Sequence, residues 1–136
     1  MMLGSVYEAL KDGVRAEAAH RRGLATTRAH LELYPNDARA LYHGAISLRR
    51  LGQEAEAREW AERARVSAGD DSSAFYNLGC FYAIGGDIDE AFDCLNRAVD
   101  VGYAHREWVE HDVDLEPLHG DPRWRALLAR FAPTRR

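Results

Sequence analysis

Apolar residues recur along the middle of this chain at helical spacing, and glycines and short polar turns interrupt them at regular intervals. Two stretches, 38–50 and 54–67, form one amphipathic pair. Residues 72–101 form another, folded at Gly85-Gly86. Placing Ser72 under Ala38 lays the first pair on the second. Leu41 then meets Phe75, Tyr42 meets Tyr76, Leu48 meets Tyr82, Gly52 meets Gly86, Ala57 meets Ala91 and Ala64 meets Ala98. The boundaries carry their own signals. Asn36-Asp37 offers an N-cap to the helix from Ala38, Asp87-x-x-Glu90 is close to a capping box, and Gly52 and Gly102 stand where helices stop. The helix at 54–67 turns Ala57, Trp60, Ala61 and Ala64 to one side. Its other side is charged, with the i,i+4 pairs Glu54–Arg58 and Glu59–Arg63.

The flanks are less regular. Val6, Leu10 and Val14 keep a helical stripe that Asp12-Gly13 is expected to break, and a second helix is expected from about 15 to 33, ending in Tyr34-Pro35. After Gly102 the pattern predicts a short helix over 104–110 containing Trp108, and then an acidic, turn-rich stretch. A last helix opens at Asp121-Pro122 and carries Trp124, Leu127, Leu128 and Phe131 on one stripe. Pro133 to Arg136 read as a frayed end.

A helix–turn–helix unit repeating in this register resembles the tetratricopeptide repeat. Phe75, Leu78-Gly79, Tyr82, Gly86, Ala91, Leu95 and Ala98 stand where that family has its aromatic, its Leu-Gly pair, its tyrosine, its turn glycine and its packing residues. Gly79, Ala91 and Ala98 are small where the helices cross, and Phe75, Leu78, Tyr82 and Leu95 fill between them. The 38–71 copy is weaker: Gly44 replaces a usual leucine, Ala61 a large residue and Gly69 a proline. A glycine inside a helix costs about 1 kcal/mol against alanine, so Gly44 is expected to leave its helix soft. Residues 1–35 resemble a degenerate first repeat closed by Pro35. The tail REWVEHDVDLEPLHGDPRWRALL resembles the segment that closes such arrays in many bacterial proteins, including kinases and nucleotide cyclases. The resemblance implies an all-α, right-handed superhelix of antiparallel helix pairs: about three repeats (1–35, 38–71, 72–103) and a C-terminal capping segment (104–136). That segment would fold its tryptophans and leucines over the last repeat as a lid.

Composition narrows the function. The net charge of −4 argues against a nucleic-acid partner. No apolar run reaches the roughly 20 residues of a membrane helix, and the start of the chain has no secretory pattern. Cys80 and Cys94 make no CxxC pair and read as reduced thiols of a cytoplasmic protein rather than as a disulfide. His111, Asp112, Asp114, Glu116, His119 and Asp121 invite a metal reading, but no ligand spacing such as HExxH supports it, and the resemblance explains the acids and prolines as turn and cap residues. No phosphate loop or nucleophile motif is present. No enzyme, cofactor or metal is expected.

The resemblance does imply a binding surface: the first helix of each pair lines a concave groove. Carried by the register, its ligand-facing positions are Arg39, Tyr42, His43, Ile46, Arg49 and Arg50, followed by Ser73, Tyr76, Asn77, Cys80 and Ala83. The first set is basic and aromatic, suited to an extended acidic peptide or a chain terminus. A groove of other specificity stays open, as does the plainer reading of Arg39, Arg49 and Arg50 as solvated cations, the latter two near a helix C-terminus. The family's carboxylate clamp is not reproduced, because Glu8, Asp12, His43, Ser73 and Asn77 occupy its places. Trp60 either anchors self-association from the convex side or folds against the first repeat. The expectation is therefore a non-catalytic cytoplasmic scaffold, monomer or homodimer, binding a protein or peptide. The alternative is a self-associating module or a regulatory part of a bacterial signalling assembly.

Overall fold

The computed structural model describes residues 3–131, with side chains described from Gly13 onward. The elements are α1 (Leu3–Leu33), α2 (Ala38–Arg50), α3 (Glu54–Ser67), α4 (Ser72–Ile84), α5 (Ile88–Asp100), α6 (Arg106–His111), a 3₁₀ segment (Val113–Leu118) and α7 (Pro122–Arg130). No strand occurs among the described residues. The chain divides into two compact units, Met1–Arg63 and Ala64–Arg136, with the boundary inside α3.

In the first unit α1 packs on α2. Asp37 caps α2, its carboxylate accepting from the N–H groups of Arg39 and Ala40 at 3.1 and 3.2 Å. The chain then leaves α2 through Gly52 at φ +82°, where any other residue would be strained. One expectation fails here. The helix pair predicted over 1–35 is a single helix, and α1 runs uninterrupted through Asp12-Gly13. One glycine is a modest penalty against the packing of a long helix, so the break did not form. Val6, Leu10, Glu8 and Asp12 lie outside the residues whose side chains are described.

Trp60 decides the packing of this unit. It is 5% exposed. A Cβ at Gly44 would lie 2.6 Å from the Trp60 Cε3 and 3.3 Å from the Thr27 Cγ2, so the ring occupies the space that glycine leaves on α2, beside α1. The Arg28 guanidinium lies over the indole at 5.2 Å. It also grips Glu56 through two hydrogen bonds of 2.7 and 2.8 Å, which hold the Glu56 carboxyl below its ordinary range. Of the two places open to Trp60, it takes the one against the first helices. Gly44 is therefore a receptor for the indole.

In the second unit α4 packs along α5, the 3₁₀ segment lies on α4, and α7 lies on α5. Asp71 caps α4 through the Ala74 N–H at 3.1 Å, and Asp121 caps α7 through the Arg123 N–H at 2.9 Å. Asp87 precedes α5 but makes no side-chain cap bond, so the expected capping box does not form there. Gly79 receives Leu95, whose side chain would lie 2.6 Å from an added Cβ. Leu78, Phe81, Leu95, Leu115, Leu118 and Leu127 form a core with at most 1% exposure.

Candidate functional site

The predicted ligand-facing residues fare differently in the two units. On α2, Arg39, His43 and Arg50 are exposed and Ile46 is half-buried. Partial desolvation of one side of the ring and the neighbouring Arg39 cation lower the His43 pKa, which favours the neutral form. Tyr42 is 4% exposed and lies in ring contact with His43 at 4.6 Å. Arg49 is also drawn in. Its side chain is only 8% exposed and is bound to Glu54, whose carboxyl is held below its ordinary range chiefly by that hydrogen bond. The free Arg49 expected from the sequence is thus a paired cation.

On α4, Ser73 is exposed and Asn77 half-buried, the Asn77 amide donating back to the Ser73 carbonyl at 2.8 Å. Tyr76 and Cys80, by contrast, are each 5% exposed, and Ala83 is fully buried. What reaches Tyr76 and Cys80 is the chain itself. The Tyr76 hydroxyl donates to the Asp112 carboxylate, and the Cys80 thiol approaches the same oxygen at 3.8 Å. The second Asp112 oxygen accepts from the Asp114 N–H at 3.0 Å, which starts the 3₁₀ segment. Burial, followed by the bond to Asp112, pushes the Tyr76 pKa far above the usual tyrosine range. Burial and the Asp112 charge do the same to the Cys80 thiol. Neither group supplies an anion near neutral pH, so Cys80 is a poor nucleophile. Cys80 and Cys94 are both free and buried.

Tyr103 completes the arrangement and was not singled out from the sequence. Its ring stacks on Tyr76 at 4.4 Å with an interplanar angle of 5°, meets His105 and Phe131 edge-on, and has its pKa pushed up to about 12, chiefly by burial. An aromatic immediately after the helix-ending Gly102 was the available signal.

The lid differs from expectation at one residue. Leu115, Leu118 and Leu127 are buried and Trp124 packs on His119 of the same segment at 4.5 Å, but Trp108 stays 64% exposed. Arginines fasten the lid to α5. Arg123 lies over Phe92 at 4.7 Å, bonds Asp121 and reaches Asp89 at 2.8 Å. Arg130 bonds the Asn96 side chain at 2.8 Å. The Asp121 carboxyl is lowered to about 2, mainly by its bond to Arg123.

The acidic cluster of the sequence does not converge as a set. Cys80, Asp112 and Asp114 instead offer ligand atoms within 4.8 Å of one another, a grouping that spacing could not reveal. Within that trio both Asp112 oxygens are already occupied, one accepting from the Tyr76 hydroxyl and the other from the Asp114 N–H.

Residues 72–101 match the family model described as tetratricopeptide repeat. The all-helical structure, with its packed neighbouring helix pairs, is consistent with a tetratricopeptide repeat protein. Comparison with curated proteins gave no match. No helix among the described residues is long and apolar enough to cross a membrane.

Proposed function

We propose that this chain is a non-catalytic module that binds an acidic segment of a partner protein through the exposed face of α2. A tetratricopeptide repeat supports protein–protein interaction in general. The finer reading rests on one observation: at Tyr76, a position of the predicted ligand-facing set, a carboxylate is already docked, that of the chain's own Asp112. The predicted ligand-facing set on α2 keeps Arg39, His43 and Arg50 accessible, so the cations and the ring edge there suit the same kind of guest. Tyr42 and Arg49 serve as supports behind that face, and Ser73 and Asn77 are the α4 positions left accessible. Two buried thiols suit a reducing, cytoplasmic setting.

The test is affinity capture with wild type and an Arg39→Glu, His43→Ala, Arg50→Glu variant, after circular dichroism has established that both are folded. A captured protein whose acidic segment binds the wild type and not the variant supports the reading. Equal capture by both overturns it. Trp60 is 5% exposed and packs into the space beside Gly44, which favours a binding role for this unit over self-association through its indole.

A further inference from the structure

The second unit leaves one of its two tryptophans uncovered. Trp108 on α6 is 64% exposed and Val113, at the start of the 3₁₀ segment, 69% exposed, while Val109, Leu115 and Leu118 beside them in sequence are fully buried. Trp108 and Val113, with Glu107, His111 and Asp112, line a depression of about 440 Å³. An indole held in water next to an aliphatic side chain has the make-up of an interface anchor.

Charge identifies the guest. Residues 104–121 contain six acidic side chains and one arginine, with Glu110 paired to Arg106 and Asp121 to Arg123. The unit Ala64–Arg136 has 13 acids against 8 basic residues, whereas Met1–Arg63 has 9 against 10. Asp112 already accepts from Tyr76 and from the Asp114 N–H, so Glu107, exposed and in the first turn of α6, is the carboxylate left to face a ligand. The other exposed apolar pair, Leu33 and Tyr34, borders a depression whose charged rim, His30 and Asp37, closes on itself at 2.7 Å. Among the described residues the Trp108 face has no such closure at Glu107.

We propose that this depression binds an arginine-bearing, partly apolar segment of a partner protein. The guanidinium would lie over the Trp108 ring and pair with the Glu107 carboxylate, with an apolar neighbour on Val113. The Glu107 carboxylate on this rim disfavours a phosphate-bearing guest. The site selects the charge opposite to that proposed for α2 and does not depend on that reading.

The experiment titrates two peptides into the full chain, one of alternating Arg and Leu and one with every Arg replaced by Glu. Nitrogen-15 spectra follow the indole N–H signals of Trp60, Trp108 and Trp124. The Arg peptide is expected to move the Trp108 signal and leave that of Trp60 in place. Its affinity should fall about tenfold or more in Trp108→Ala, several-fold in Glu107→Gln, and with added salt. Trp108→Phe, which keeps a ring, should retain part of the binding. Because Trp108 is mostly exposed, Trp108→Ala should fold like the wild type, with an unchanged circular dichroism spectrum. The Arg39→Glu, Arg50→Glu variant should keep the Trp108 shift, and its loss there would overturn the assignment to this face. Equal binding of the Glu peptide, Arg-peptide binding that survives Trp108→Ala, or no Trp108 shift at millimolar peptide would also overturn it. A Trp108-dependent dimer in sedimentation would do so too, since the face would then belong to a second copy.

Discussion

The helix pair α2–α3 and the helix pair α4–α5 share one register and solve the same packing problem one residue apart. In the second pair the gap is Gly79 on the first helix and the filler is Leu95 on the next. In the first pair the gap is Gly44, in register with Leu78, and the filler is Trp60, in register with Cys94. Ala45 stands in register with Gly79, and Ala61 with Leu95. Gap and filler have moved together. What the two pairs have in common is a matched hollow and side chain, and neither residue of the match is meaningful alone. A close approach of two helices requires one small residue facing one large one, and the register leaves some freedom as to which turn supplies them.

That contrast is most sharply broken at Trp60. Trp60→Ala should cost about 3–5 kcal/mol, because it empties a site that Gly44 cannot refill. Cys94→Ala, the same-register change, should cost about 1 kcal/mol, since only a sulfur is lost. Urea unfolding of both variants measures the difference, and equal losses would end the comparison.

The next effect is steric. Gly44→Leu, which makes the first pair look more like the family pattern, should destabilise by about 3 kcal/mol, because its Cβ would meet the indole. The fourfold exchange Gly44→Leu, Ala45→Gly, Trp60→Cys, Ala61→Leu moves gap and filler together and should recover most of that loss in thermal unfolding.

A further difference lies in what covers each first helix. Tyr76→Phe leaves Asp112 without its phenolic donor and should cost about 1.5–3 kcal/mol, read by denaturant titration. The same site sets a pH dependence. A tyrosine whose folded pKa lies above its ordinary 10.0 contributes stability that is complete below that value and is lost as pH rises toward the folded one. Stability should therefore decline above about pH 10, with Tyr103 ionising near 12 and Tyr76 later still, as followed by phenolate absorbance. Tyr76→Phe should make that decline shallower from about pH 10 upward.

The smallest expected effect is one on which the two pairs should agree. Gly52 and Gly86 occupy the same turn at φ +82° and +80°, and alanine at either should cost about 1–2 kcal/mol. A large inequality in thermal unfolding would show that the turns are less alike than their backbones.

The repeat register, the caps at Asp37 and Asp121, and the turn glycines are local matters, although the capping box expected at Asp87 does not form. Each depends on a few neighbouring residues and their backbone angles, so sequence patterning alone determined the helices from 38 onward and the all-α class. It erred at Asp12-Gly13, where a local break signal lost to the continuity of a 31-residue helix. The tertiary structure decided the rest. Gly44 reads as a weak point until Trp60, on the following helix, is seen in its hollow. Tyr76 and Cys80 read as groove residues until Asp112, far downstream beyond α5 and α6, lies against them. Trp108 reads as part of the lid, yet it is Val109 that the lid buries. Such outcomes depend on which distant surfaces meet, because an aromatic or a carboxylate has the same local preferences whether it faces water or its own chain.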